Sequence, residues 1–147
     1  MIKAIIVDID GTLARNNSGR PWFGEGYEKR LHEDDVDPTV AKVIAALYDG
    51  EFIDEVLFVS GRTFSGWVET ADWIFKHTGH SPRADDDVRL LMRADGDFRP
   101  DHEVKLDLYN ENIKGKYDVL LALDDRPSII DLWRSLGIPA WQVAEYR

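Results

Sequence analysis

The sequence contains no cysteine, which removes disulfides, thiolate metal centres and a thiol nucleophile from consideration. It also lacks an apolar run able to cross a bilayer, which takes about 20 residues. Its first such run, Ala4 to Val7, is interrupted at once by Asp8 and Asp10, unlike the apolar segment of a secretory signal. Cytoplasm is the expected compartment, without membrane contact. Positive charge is sparse: 18 Lys and Arg stand against 28 Asp and Glu, for a formal charge of −10. That balance repels polyanions in bulk and argues against general nucleic-acid coating, while leaving room for one local cationic site. No internal repeat, linker or low-complexity stretch breaks the chain. Its 147 residues suit a single domain, 1–147, with one good core.

Short apolar runs alternate with helical patterns along the chain. Ile2 to Asp8 is nearly continuous and β-branched, as in a strand buried on both faces of a parallel sheet, and Gly11 ends it. Asn16 to Pro21 is dense in turn formers and reads as a loop. Pro38 opens a helix carrying Val40, Val43, Ile44 and Leu47, capped by Asp37 and closed by Gly50. A second strand, Glu55 to Ser60, is expected to break at Gly61. A helix follows from Thr63 to about Thr78, then a polar loop from Ser81 to Asp87 and a third strand, Val88 to Met92. A helix from Asp101 carries Val104, Leu108 and Ile113. Tyr117 to Leu123 is another strand, Pro127 to Leu136 another helix, and Ala140 to Val143 a last strand. This order predicts an α/β fold, a Rossmann-like three-layer αβα arrangement around a parallel sheet.

Ligands of such sheets bind beyond the carboxyl ends of the strands. Those ends carry Asp8-Ile9-Asp10-Gly11-Thr12, Ser60-Gly61-Arg62 and Asp124-Asp125-Arg126. Four carboxylates thus converge, and each like-charge pair at about 4 Å costs roughly 4 kcal/mol at an effective dielectric near 20. A lone Asp usually caps a turn. Four together call for a proton or a cation, and hard oxygen ligands suit magnesium. Asp8 can attack phosphorus to form an acyl phosphate. Asp10, two residues on, can protonate the leaving oxygen and then activate water. Gly11 permits a close turn, and Thr12 offers its hydroxyl and amide to phosphoryl oxygens.

Asp-x-Asp-Gly-Thr directly after a hydrophobic strand resembles the signature of the haloacid dehalogenase superfamily, whose second Asp marks phosphatases. Ser60 matches that superfamily's phosphoryl-binding Ser or Thr. Lys105 matches its charge-neutralising lysine, with Asp101 four residues earlier on the same helical face to orient it. Asp124 and Asp125 match the acidic metal motif. The resemblance implies Mg2+ between Asp8, the Asp10 backbone carbonyl and Asp124, supported by Asp125.

A narrower likeness rests on Ser60-Gly61-Arg62, on Met92-Arg93 with Arg99-Pro100-Asp101 and Lys105, and on Asp124-Asp125-Arg126 with Trp133-Arg134. It is to the 3′-phosphatase domain family of phage polynucleotide kinase-phosphatases, and it runs from Asp8 to about Gly137. It implies that Gly61, Arg62, Arg20 and Arg93 line the pocket for the substrate phosphate or adjoining nucleotide, where an arginine fork fits. The implied reaction removes a 3′-phosphate, or a 2′,3′-cyclic phosphate, from DNA or RNA ends. The competing readings are a phosphatase of nucleotides or sugar phosphates and a non-catalytic phosphate- or metal-binding module. No Gly-x-x-x-x-Gly-Lys-Ser/Thr phosphate loop occurs, so the kinase half has no counterpart, and a separate kinase or ligase becomes a candidate partner. Exposed aromatics would support a homodimer. About 50 residues separate Asp8 from Ser60, and a helix with its loops uses most of them at about 1.5 Å per residue, so little lid is expected. Trp22, Phe23 and Tyr27 lie in this first insert. Their ordinary place is the core, and the alternative is stacking on a terminal base.

Overall fold

A computed structural model describes residues 1–146. Strand β1 (Ile2–Val7) sends Ile5 and Val7 to one face of the sheet and Ala4 and Ile6 to the other, all four buried. A side-chain period of two with both faces covered is the mark of an interior parallel strand. After β1, a small antiparallel pair, β2 (Ala14–Arg15) and β3 (Asp35–Val36), brackets a 3-10 helix over Tyr27–Glu33. The sequence patterns do not anticipate these short elements. Joined by turns and loops, they make up the insert before α1 (Pro38–Asp49), which holds no longer helix or sheet that could serve as a lid domain. Asp37 caps α1 by accepting hydrogen bonds from the Thr39 and Val40 amides, each at 3.0 Å, with Pro38 opening the first turn.

The chain continues through β4 (Glu55–Thr63), α2 (Trp67–Thr78), β5 (Val88–Arg93), α3 (Asp101–Asn112), β6 (Tyr117–Asp124), α4 (Pro127–Ser135) and β7 (Ala140–Gln142). The five long strands pair in parallel in the order β5-β4-β1-β6-β7. Helices α1 and α2 bury Val40, Ile44, Ala71 and Ile74 with Ile5 and Val7 on one face. On the other, Ile113 after α3 and Ile129, Ile130 and Trp133 of α4 pack with Ala4 and Ile6. The result is the expected three-layer α/β architecture. Starting from β1 the chain builds outward through β4 and β5, then returns to β6 on the opposite side. The order reverses at β1, and sheets of this kind bind ligands beyond the carboxyl end of such a strand, where Asp8 lies. Among the described residues no helix is long and apolar enough to cross a membrane.

One strand departs from expectation. Gly61 does not end β4, which runs on to Thr63. Ser60 pairs with Met92 and Thr63 with Arg93, so Gly61 and Arg62 are extra residues in the ladder. Such a bulge re-aims side chains, and here the Arg62 side chain is buried.

Candidate active site

The carboxyl ends of β1, β4 and β6 and the middle of α3 supply a buried set of charged groups. Asp8 follows β1, Asp124 closes β6 and Asp125 comes next. Each can offer an oxygen within 4.8 Å of the others, in a group able to hold a metal ion. Lys105, on the buried side of α3, donates to Asp8 Oδ1 at 2.9 Å and to Asp124 Oδ2 at 2.8 Å. The second Asp124 oxygen accepts the amides of Asp125 (2.9 Å) and Arg126 (3.0 Å), which fixes the turn after β6. Thr12 donates to Asp8 Oδ2 at 3.1 Å. Gly11 sits at φ 82°, and any Cβ there would overlap the Asp125 carboxylate, so this turn accepts glycine for both conformation and space.

Three carboxylates here face one ammonium. Burial first, and then the Asp124 charge, push the Asp8 carboxyl well above the ordinary carboxylate range, with Lys105 only partly offsetting them. Asp125 is raised for the same first two reasons. Burial would lower the Lys105 ammonium, but Asp124 and Asp8 outweigh it and hold the group charged. An all-oxygen donor set left anionic in a buried site fits a hard divalent cation such as magnesium.

Asp10 belongs to a different cluster. Its carboxylate turns away from that trio and receives Arg62 through Nε (3.0 Å) and Nη2 (2.7 Å), with Arg20 Nη2 at 3.1 Å. Both guanidiniums also reach Asp34: Arg20 through Nε and Nη2, each at 2.7 Å, and Arg62 through Nη2 at 3.0 Å. Thr70 of α2 accepts from Arg62 at 3.0 Å. Although burial acts the other way, Arg62 and then Arg20 hold Asp10 below the usual carboxylate range.

Asp34 carries no motif in the sequence. It lies in the irregular insert beside Asp35, and spacing alone does not distinguish the buried carboxylate from its exposed neighbour. The burial of Arg20 and Arg62 reveals it, since two interior guanidiniums require more than one carboxylate.

Several sequence expectations acquire different geometry. Arg20 and Arg62 spend most of their donors inside the protein. Arg93 donates to the Gly61 carbonyl (2.8 Å) and to Asp101 (2.7 Å). Asp101 pairs with Arg93 and with Arg126 (3.1 Å), whereas Lys105 gives its hydrogen bonds to Asp8 and Asp124. Asp101 therefore acts on Lys105 through charge. A Cβ at Gly61 would overlap Asp101, so the glycine admits that carboxylate. Thr12 uses its amide on Ile9 O, at 3.1 Å, within its own turn, leaving its hydroxyl as the group that faces the site. Ser60 is buried, and its hydroxyl oxygen accepts the Arg62 amide at 3.1 Å. Tyr27 is core, whereas Trp22 and Phe23 are exposed.

Residues 2–146 match the polynucleotide kinase PNKP phosphatase domain. The chain belongs to that family, a branch of the haloacid dehalogenase-type phosphatases. Among curated proteins it is similar to one from Autographa californica nuclear polyhedrosis virus, named as a bifunctional polynucleotide kinase/RNA ligase. The two are 31% identical over 140 residues, covering 93% of this chain and 18% of the viral protein. A chain in the structure of the Pnkp1/Rnl/Hen1 RNA repair complex is 33% identical, with a TM-score of 0.82 over 98% of this chain and 43% of its own. A chain in a second structure of the Pnkp1/Rnl/Hen1 complex, also 33% identical, has a TM-score of 0.84 over 100% of this chain and 47% of its own. The chain thus spans less than half the length of these relatives.

Proposed function

We propose that this protein removes the phosphate from the 3′ end of a polynucleotide through an aspartyl-phosphate on Asp8. The observation that carries the reading is the buried anionic trio with Lys105, placed beside an independently held Asp10. A binding module has no use for a second, separately tuned acid next to a nucleophile. Family membership supports a polynucleotide end as substrate, and the relatives' names favour testing RNA first.

In this mechanism an Asp8 oxygen attacks phosphorus, the Asp8–phosphorus bond forms, and the bond to the 3′ oxygen breaks. That oxygen takes a proton from Asp10. Water then gives a proton back to Asp10 and attacks the phosphorus, which frees the Asp8 carboxylate and inorganic phosphate. Asp10 stands in this structure as a carboxylate under Arg62 and Arg20, the form needed for the second half of the cycle. Delivering a proton in the first half requires loosening of the Arg62 fork. Lys105 and the Thr12 hydroxyl hold Asp8 in place, and Ser60 and Thr12 are the hydroxyls available to phosphoryl oxygens. Magnesium, held by Asp8, Asp124 and Asp125 with the Asp10 carbonyl, would supply positive charge that favours ionised Asp8 and offsets charge on the phosphoryl group. Arg62 and Arg20 act mainly as positioning residues for Asp10. A kinase or ligase, joined or separate, would supply the complementary chemistry of end repair.

The test is phosphate release from a 3′-phosphorylated oligonucleotide, compared with 3′-mononucleotides and sugar phosphates, with and without magnesium. Magnesium-dependent release that favours the oligonucleotide is expected. Preference for sugar phosphates would transfer the site to small-molecule chemistry, and no turnover of any ester would leave a binding module.

A further inference from the structure

We infer that the exposed rings of Phe98 and Phe64 form a stacking platform for unpaired bases of the strand whose phosphorylated end reaches Asp8. This rests on the polynucleotide reading above and specifies how the strand is held. Phe98 is 94% exposed, on the loop after β5, and Phe64 59%, in the 3-10 turn Phe64–Gly66 after β4; both follow the carboxyl ends of their strands, as Asp8 does. The loop under Phe98 is fixed on both sides of the ring. Arg93 Nη1 donates to the carbonyls of Asp97 (3.0 Å) and Arg99 (2.5 Å), and the Asp97 carboxylate accepts the Arg99 amide at 3.1 Å. The backbone that carries the ring is therefore already ordered, so covering the ring costs side-chain freedom alone.

The same guanidinium ties this loop to the site, because Arg93 Nε reaches the carbonyl of Gly61, next to Ser60, at 2.8 Å. The Ser65 amide donates to Asp95 at 2.9 Å, joining the loop of Phe64 to that of Phe98. Phe64 leans on Trp67 with ring centroids 6.3 Å apart.

The occupant follows from the polynucleotide reading, and charge decides how it is held. The protein carries −10 overall, and the arginines of this rim are already paired: Arg93 and Arg126 with Asp101, Arg99 with Asp97 and Asp107. Backbone phosphates therefore meet little free positive charge. Aromatic faces attract any base regardless of sequence, so affinity for the strand comes from stacking on unpaired bases.

The test compares the wild type with Phe98→Ala, Phe64→Ala and Phe98→Tyr on three substrates. These are a 3′-phosphorylated single strand, the same strand with abasic sites in its last few nucleotides, and an aryl phosphate. On the full strand Phe98→Ala is expected to raise KM about five- to hundredfold with kcat little changed. It should leave the abasic strand and the aryl phosphate unaffected, and Phe98→Tyr should behave as wild type. Log(kcat/KM) should fall against log salt with a slope shallower than about −2, because few phosphates are neutralised. An unchanged KM for Phe98→Ala on the full strand overturns the platform. So does an equal loss on the aryl phosphate, which would mean a distorted loop, or an altered association state with unchanged kinetics, which would mean a protein contact. Should the wild type hydrolyse the aryl phosphate but not the strand, the polynucleotide reading itself falls, and the platform with it.

Discussion

Two charge clusters flank the turn after β1, one wholly buried and one with Asp10 partly exposed, and their balance is opposite. Asp10 and Asp34 face Arg20 and Arg62, two carboxylates against two guanidiniums. Asp8, Asp124 and Asp125 face Lys105 alone. The balanced set satisfies itself, so it can serve as architecture that aims Asp10. The unbalanced set does not, which is why burial and mutual repulsion raise Asp8 and Asp125. A deficit of buried positive charge is what a cation or an attacking carboxylate can use. Charge sum, more than acidity, separates the cluster proposed to react from the supporting one.

The largest effect that sharpens this contrast is chemical. Asp8→Asn should reduce phosphate release by roughly 10⁴-fold or more. Because the neutral amide removes repulsion while Asp124 still pairs with Lys105, thermal unfolding of the metal-free variant should occur no lower than in wild type. Near-normal turnover of Asp8→Asn would discard the nucleophile.

The mirror experiment targets the balanced cluster. Asp34→Ala leaves two buried guanidiniums short of a counter-charge, and breaking a buried pair costs about 3–5 kcal/mol. Denaturant titration should show that loss directly. A decrease within experimental error would mean that Arg20 and Arg62 reach water when Asp34 is removed, and that the cluster is not architectural.

How much of this contrast the sequence discloses depends on the range of the forces involved. Asp8, Asp124 and Ser60 are legible because each follows or closes the apolar run of a strand, and such runs in parallel sheets converge by topology alone. Asp37 and Pro38 announce α1 through local capping chemistry. Asp34 is not legible, since nothing in Glu33-Asp34-Asp35 separates the buried carboxylate from its less buried neighbours. Its role depends on Arg62, 28 positions away. Gly61 misleads for a related reason. Glycine commonly ends a strand, but here it admits the Asp101 carboxylate while β4 continues. The family resemblance assigns Arg62 to the substrate phosphate but does not disclose its protein partners Asp10 and Asp34, 52 and 28 positions away.

Metal binding provides a smaller and selective effect. Magnesium at about a hundredfold excess over its Kd should stabilise the wild type by about 2.7 kcal/mol. The increment should vanish in Asp124→Asn and persist in Arg20→Lys, as read by thermal unfolding with and without chelator. Persistence in Asp124→Asn would place the cation elsewhere.

The smallest effect separates the clusters by pH, in metal-free protein. Asp8 is raised above its unfolded value, so its ionisation opposes folding. Relative to Asp8→Asn, the wild type should lose stability as pH rises from the unfolded carboxylate value of about 3.9. Asp10 is lowered, so it contributes stability above about 3.9 and loses it as pH falls from there through the folded value. The gap between wild type and Asp10→Asn should therefore stay open at neutral pH and close only on the acidic side. The two windows lie on opposite sides of the same unfolded pKa because one carboxylate has too few cations around it and the other has two. Denaturation midpoints from pH 3 to 7 resolve them, and coincident windows would mean that the two aspartates share a single electrostatic environment.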